Sequence, residues 1–220
     1  MAKDSRLLVD PSVQALGVKA LGFTRFDLDN LSPNPAFEAF HRETLTELKT
    51  RLIAPSLQQD PVLEGYRRLH AVLGKTGRRW ISAPENLKQA LLLNPVQAGP
   101  NRLVDLYNLV SLETGLAFGA HDLEKLDGDV HLRLTNGTES YWPIGSAEPS
   151  HVGAGEYAYC DGQEIICRME IRQVEKTKVR PSTTNVFFII QGHAGTPPEA
   201  LGYAQSRLTG LLDLYCGQKK

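Results

Sequence analysis

The dominant hydrophobic period of this chain changes near Gly115, and that change narrows the architectures open to it. Upstream, apolar residues recur every three or four positions, the repeat of a helix with one buried face. Downstream they alternate, the repeat of a strand. Asn34-Pro35 sets a capping side chain before a proline at the first helical position, and Ala36, Phe37, Phe40, Leu45, Leu48 and Leu52 follow, which predicts a helix from about Pro35 to Ile53. Asp60-Pro61 repeats the device ahead of Val62, Leu63, Tyr66, Leu69, Val72 and Leu73, up to Gly74. A shorter helix is expected from Pro84 to Leu93. A fourth, capped by Asn101 and stopped by Gly115, carries Leu103, Val104, Tyr107, Val110 and Leu112.

Beyond Gly115, Val130, Leu132 and Leu134 alternate up to Asn136-Gly137, a dipeptide suited to a tight turn, with Tyr141-Trp142 as the expected return of a hairpin. A second hairpin is expected at Asp161-Gly162, with Tyr157 to Tyr159 before it and Ile165 to Ile171 after it. On that returning strand Ile166, Arg168, Glu170 and Arg172 are expected to share one face. Val186 to Ile190 reads as a fully buried strand, and Thr196-Pro197 as the start of a last helix through Leu214. Leu7 to Val9 and Val18 to Phe26 add one or two strands. The expected class is α+β, a helical N-terminal half packed on antiparallel hairpins. One domain over residues 1–220 is expected, with a strand and helical part at 1–95 and a core at 96–220.

Charge and motifs exclude several function classes. With 24 Lys+Arg against 25 Asp+Glu in 220 residues, the chain has no general basic surplus to replace phosphate counterions, so any nucleic-acid contact is expected to be local. Apolar runs such as Val186 to Ile190 fall far short of the ~20 residues needed to cross a bilayer. The opening MAKDSRLLVDPSVQ lacks a signal peptide's apolar stretch, and a cytoplasmic location is the expectation. Cys160, Cys167 and Cys216 have no C-x-x-C spacing, and the six histidines show no H-x-x-x-H pattern, so neither a metal nor another cofactor is expected. G-x-S-x-G, Walker and dinucleotide motifs are absent.

Four groups of residues can carry chemistry. His121-Asp122 reads either as a base with its carboxylate or as a loop histidine beside a capping aspartate. Arg168, Glu170 and Arg172, with Gln173, form either a grip for an anionic ligand or an ordinary exposed strand face. Arg67, Arg68, Lys75, Arg78 and Arg79 beside Trp80 make the one concentrated basic segment, either a solvated helix face or a phosphate and base contact. Asn101, Arg102, Asp105 and Asn108 are polar residues in an otherwise apolar helix, either site residues or a network tying its cap to the preceding loop.

Asn101 to Val130, NRLVDLYNLVSLETGLAFGAHDLEKLDGDV, closely resembles the N-R-x-V-D-x-x-N-x-V-x-L-E-x-G opening of the editing module, the B3/B4 domain, of the phenylalanyl-tRNA synthetase beta subunit. Glu175 to Gly192, EKTKVRPSTTNVFFIIQG, resembles that module's closing strand. EGYRRLH (Glu64 to His70) and RQVEKTK (Arg172 to Lys178) are similar to segments of free-standing members of the family. The resemblance implies a module that accepts the 3′ end of a mischarged tRNA and hydrolyses the ester. It places the family's arginine and asparagine on Arg102 and Asn108. Two departures stand out. The family's histidine position holds Gly119, with His121 two residues on. The glutamate that recognises a tyrosine hydroxyl falls on Ile189, so tyrosine specificity is not carried over. The small-residue turn that shapes the synthetase pocket falls on Met169 and Glu170.

The resulting expectation is a trans-editing aminoacyl-tRNA deacylase. Asn108, Arg102 and His121 are its catalytic candidates. Ser111, Gly119, Asp122, Arg168, Glu170, Arg172, Gln173 and Ile189 form its substrate pocket, with Glu170 or Asp122 for the α-ammonium. Arg67, Arg68, Lys75, Arg78, Arg79 and Lys178 are the expected tRNA contacts. The partner is the aminoacylated tRNA 3′ end, with neither membrane nor DNA, and a synthetase partner is left open. The rival expectation is a non-catalytic module that binds an amino acid or a tRNA end, docks on a synthetase or acts as a sensor. Hydrolysis of a small amino-acid ester or amide is a third.

Overall fold

A computed structural model describes residues 4–52, 54–94 and 98–217. Three of the helices start where their caps predict. Asn34 accepts a hydrogen bond from the Phe37 amide at the head of α2 (Pro35–Arg51), and Asp60 accepts from Val62 and Leu63 at the head of α4 (Pro61–Val72). Asn101 accepts from Val104 at the head of α6 (Arg102–Thr114), which Gly115 ends in the left-handed region at φ 73°. The helix over 84–93 is α5 (Ala83–Leu93). The expected α2 end at Ile53 and the expected boundary at 95/96 lie outside the described residues. Two short helices, α1 (Pro11–Ala15) and α3 (Ala54–Gln59), were not legible in the apolar spacing. Among the described residues no helix is long and apolar enough to cross a membrane.

The strands form mainly antiparallel sheets. β1 (Leu7–Val9), β4 (Val130–Leu134), β7 (Tyr157–Cys160), β8 (Ile165–Arg168) and β9 (Arg172–Gln173) make one sheet in the order β1-β4-β7-β8-β9, whose β1–β4 pair is parallel. β2 (Lys19–Arg25), β3 (Ala117–Asp122) and β10 (Val186–Gly192) make a second, with β10 between the other two. The Asp161-Gly162 hairpin joins β7 to β8 as expected.

Three local expectations are corrected. The Asn136-Gly137 turn does not close a hairpin: the Glu139 carboxylate captures the Asn136 and Gly137 amides, so β4 pairs with β7 while β5 (Ser140–Tyr141) pairs with β6 (Ser150–His151). The strand expected to run to Ile171 breaks at Met169, whose φ of 51° turns the chain and pairs Arg168 with Arg172. Glu170 therefore leaves the expected row and stands in the turn, while Arg168 and Arg172, directly opposite each other, keep to one face of the sheet. The last helix, α7 (Ala200–Tyr215), starts after the expected Thr196-Pro197, because Thr196 turns its hydroxyl back to the His193 amide.

β10 separates two cores. Phe187 and Ile189 point into one built on the five-stranded sheet, while Val186, Phe188 and Ile190 point into another shared with α2, α5, α6 and α7. Period-two alternation in a strand buried on both sides produces this division.

A buried polar chain crosses the first core. His70, from α4, directs Nδ1 at the Trp80 carbonyl, 2.9 Å away, and Nε2 at Glu170 Oε1, 2.6 Å away. Both partners are acceptors, so the ring is held as an imidazolium beside a carboxylate. Tyr157 donates to the other Glu170 oxygen, and the Gln191 amide donates to Tyr157 and to Glu170. Tyr159 donates to Gln191 Oε1, and Tyr66 to the Gln191 carbonyl. Burial pushes the His70 pKa down, but the Glu170 bond and charge and the Trp80 carbonyl outweigh it, and the net shift is upward from 6.5. Burial pushes Glu170 up, but His70 and Tyr157 outweigh it, and the net shift is downward from 4.5.

The pH dependence follows. The His70 contribution is whole below pH 6.5 and lost as pH rises through its raised folded value; the Glu170 contribution is whole above 4.5 and lost as pH falls through its lowered one. Urea unfolding from about pH 5 to about pH 9 is expected to show stability declining on the alkaline side, and His70→Gln to remove that slope. Phe188, fully buried and stacked on Phe23 at 5.3 Å, is expected to cost about 3–5 kcal/mol on change to Ala in the same assay at fixed pH.

Candidate functional site

β3 and β10 place alternate side chains on one face. Ala117, Gly119 and His121 lie opposite Gln191, Ile189 and Phe187 in the antiparallel register. Helix α5 brings Asn86, Leu87 and Ala90 over this face, α6 brings Tyr107 and Asn108, and β8, β9 and the turn between them bring Cys167, Glu170, Ile171, Arg172 and Gln173. They enclose a mostly apolar cleft of ≈ 440 Å³, a volume suited to one small ligand. The Glu170, Gln191 and Tyr159 ends of the buried polar chain reach its floor.

Several polar atoms facing this cleft have no hydrogen-bond partner among the described residues. His121 is buried, with Nδ1 2.8 Å from Thr177 Oγ1 and Nε2 without a hydrogen bond among the described residues. Burial pushes its pKa down to about 4, so the ring is neutral at physiological pH. The side-chain amides of Asn108 and Gln173, both half-buried, make no hydrogen bond among the described residues. Cys167 also lines the cleft, but burial pushes its thiol pKa upward, away from a nucleophilic thiolate. Among the described residues no three His, Cys, Asp or Glu side chains converge as metal ligands.

A second recess, of ≈ 560 Å³, adjoins the cleft and shares Asn86, Ile171 and Arg172 with it. Arg78, Arg79, Arg168 and Arg172 line it, with Trp80 and Tyr141. Trp80 carries Arg168 at 4.7 Å from its ring centroid and Lys75 at 4.8 Å. Both cations bind the fully buried Glu156, which burial pushes up but Arg168 and Lys75 hold below its ordinary pKa. Arg78, Arg79 and Arg172 are exposed and have no carboxylate partner among the described residues. A recess of this kind matches the chemistry of phosphate groups.

The structure thus brings Asn108, His121, Gly119, Glu170, Arg172, Gln173 and Ile189 to the cleft and Arg78, Arg79 and Arg168 to its neighbour. Other candidates stand elsewhere. The Arg102 guanidinium donates to the main-chain carbonyls of Asp29, Tyr215 and Ser32 and lies over the Phe37 ring, so it ties α6 to the chain before α2 and to the end of α7. The cap-network alternative describes Arg102 better than a catalytic one. Ser111 donates to the Leu116 carbonyl at the end of α6. Asp122 accepts from Thr183 and the Glu124 amide and does not back His121, which hydrogen-bonds no carboxylate among the described residues, and of the two carboxylates considered for an ammonium Glu170 alone reaches the cleft.

The basic segment also divides. Arg67 forks onto Glu85 and onto two carbonyls, Arg68 pairs with Glu64 along α4, and Lys178 lies 3.4 Å from Glu175. Sequence reasoning missed His70, Tyr157, Tyr159 and Gln191. Gln191 closes the apolar run Val186 to Ile190, where a polar residue was the available signal, whereas His70 follows Arg67, Arg68 and Leu69 and carried no such mark.

Comparisons with known proteins bear on the family and the fold. A family model described as B3/4 domain matches residues 65–217, beginning inside the part expected to precede the core. The phenylalanine–tRNA ligase beta subunit of Mycoplasma genitalium is 31% identical over 108 residues, 49% of this chain and 13% of that protein. That of Mycoplasma pneumoniae is 31% identical over 107 residues, with the same shares. The chain therefore spans only 13% of the length of these curated relatives. The crystal structure of an N-terminal fragment of the phenylalanyl-tRNA synthetase beta subunit from Pyrococcus horikoshii superposes with a TM-score of 0.54 at 14% identity, covering 96% of this chain and 48% of that one, a likeness of fold. With the matched segment covering well over half of its length, the chain belongs to the B3/4 domain family.

Proposed function

We propose that the chain is a hydrolase acting in trans on the ester of a mischarged aminoacyl-tRNA, with the acyl group in the cleft and the phosphates of the 3′ end in the arginine recess. The observation that carries this reading is the adjacency of the two: an apolar cleft with unpartnered polar groups opens beside a cationic recess and shares Arg172 with it. A ligand with an apolar group at one end and phosphates at the other fits both at once. Kinship to tRNA ligase beta subunits supports tRNA as that ligand.

The chemistry asks little of the protein. An aminoacyl ester is activated by its own ammonium and its neighbouring ribose hydroxyl, so orientation of the ester and a water, with donors for the developing oxyanion, supplies the rate. Asn108 and Gln173 are amides free to contact the ester. Glu170 offers negative charge to the ammonium, although His70 and Tyr157 already engage it. Ile189 gives an apolar wall where the synthetase module carries glutamate, which favours an acyl group other than tyrosine. A second reading, a sensor that binds the charged end without cleaving it, is favoured by one observation: His121 is hydrogen-bonded to Thr177 and to no carboxylate among the described residues.

Purified protein incubated with tRNAs charged with correct and incorrect amino acids is expected to release one mischarged acyl group selectively, and Asn108→Ala to slow that release about tenfold or more. Binding without release above the buffer rate supports the sensor instead. Arg78→Glu with Arg79→Glu is expected to weaken tRNA binding and to make the log K against log salt slope shallower by about 1 to 2. An unchanged slope removes the recess from the tRNA path.

A further inference from the structure

His121 and Gln173 meet over a glycine. A Cβ on Gly119 would stand 2.9 Å from Gln173 Nε2 and 3.8 Å from His121 Nε2, so the volume a side chain would fill is bordered by two nitrogens. Neither nitrogen has a hydrogen-bond partner among the described residues. The backbone of Gly119 has an ordinary strand conformation, so the glycine is not explained by a turn or a positive φ. It is explained by the space it leaves.

Which proton His121 carries follows from its neighbour. Thr177 is fully buried, and its hydroxyl touches no polar atom other than His121 Nδ1 among the described residues. If Nδ1–H donated to Thr177, the hydroxyl proton would have no acceptor and the Nε2 lone pair no donor. If the hydroxyl donates to Nδ1, one group alone is left waiting, the Nε2–H aimed into the cleft. An unmade buried hydrogen bond costs about 1–3 kcal/mol, which favours the second arrangement.

We infer that the space over Gly119 is a donor pocket for the carbonyl oxygen of the scissile ester, formed by His121 Nε2–H and the Gln173 amide, with Thr177 as the positioning residue that sets the His121 tautomer. The identity of the oxygen rests on the hydrolase reading; the pocket itself does not. When water adds to the carbonyl carbon, the C=O π pair moves onto this oxygen, and the two donors hold the charge. Collapse returns the pair and breaks the bond to the ribose oxygen. One water proton passes to the ribose oxygen and the other to solvent as the released amino acid ionises, leaving a ribose hydroxyl and a carboxylate. His121 is thereby an electrostatic donor to the ester and not the base that its position beside Asp122 suggested.

Long-range proton–nitrogen NMR of the full chain at neutral pH is expected to show His121 as the Nε2–H tautomer. A stable amide analogue, 3′-aminoacylamino-3′-deoxyadenosine bearing whichever acyl group binds most tightly, is expected to move that proton downfield in the wild type and to leave it unmoved in Gly119→Ala. In deacylation, Gly119→Ala is expected to lower kcat about 100-fold or more with KM changed less than about threefold. The clash it introduces is with the end of a flexible side chain, and should the variant nonetheless misfold, Gln173→Ala carries the same expectation with a loss of about tenfold. Thr177→Val is expected to lower kcat about tenfold and Thr177→Ser to restore it. An Nδ1–H tautomer, or a folded Gly119→Ala variant with unchanged kcat, overturns the pocket while leaving hydrolysis standing. A downfield shift with the analogue, with no charged tRNA cleaved, overturns the hydrolase reading while the donor pocket stands.

Discussion

The His70 imidazolium facing the Glu170 carboxylate is the contact on which the site depends. A carboxylate buried to this degree is tolerated only when its charge is matched and both oxygens are bonded, and His70, Tyr157 and Gln191 meet that demand from three separate elements. Such a pair adds little to net stability, because desolvation offsets most of its attraction, yet loss of one partner leaves the other charge stranded. Its effect is therefore positional. It fixes the sharp turn at Met169, and that turn sets Arg172 opposite Arg168 at the arginine recess and brings Arg172 and Gln173 to the cleft.

Charge is distributed in the same economical way. The chain as a whole is nearly neutral, but its cations are not equivalent. Lys75 and Arg168 are matched by Glu156 and flank Trp80, which makes them a rigid wall. Arg78, Arg79 and Arg172 are left without carboxylates beside that wall. A local positive field with low-dielectric edges can thus arise in a protein whose formal net charge is −1. The sequence-wide balance limits a general affinity for polyanions and permits a specific one.

Much of the fold was legible because its signals are local. Asn34-Pro35, Asp60-Pro61 and Asn101 each cap a helix with their own side chain, and Asp161-Gly162 turns a hairpin within its own few residues. Expectations failed where a neighbour overrode the local preference. Glu139 captured the amides that Asn136-Gly137 was expected to use, and the burial of Glu170 imposed a left-handed residue on what read as a strand. The site was legible in part for the same reason. Asn108, Gly119 and Ile189 could be placed through a family pattern, and Arg78 and Arg79 through clustering. His70 and Gln191 could not, since they meet Glu170 across 100 and 21 residues of chain. Arg102 illustrates the opposite error: a buried arginine in an apolar helix is equally the mark of a structural tie, and here three carbonyls hold it.

The central claim is that cleft and recess together bind one ligand, its acyl group in the first and its phosphates in the second. A crystal structure with a non-hydrolysable aminoacylamide of the short CCA trinucleotide tests it most directly. The account predicts the acyl side chain against Ile189 and Tyr107, the amide carbonyl over Gly119, and phosphates among Arg78, Arg79, Arg168 and Arg172. An acyl group outside the cleft, or phosphates leaving the molecule on another face with the arginine recess empty, contradicts it.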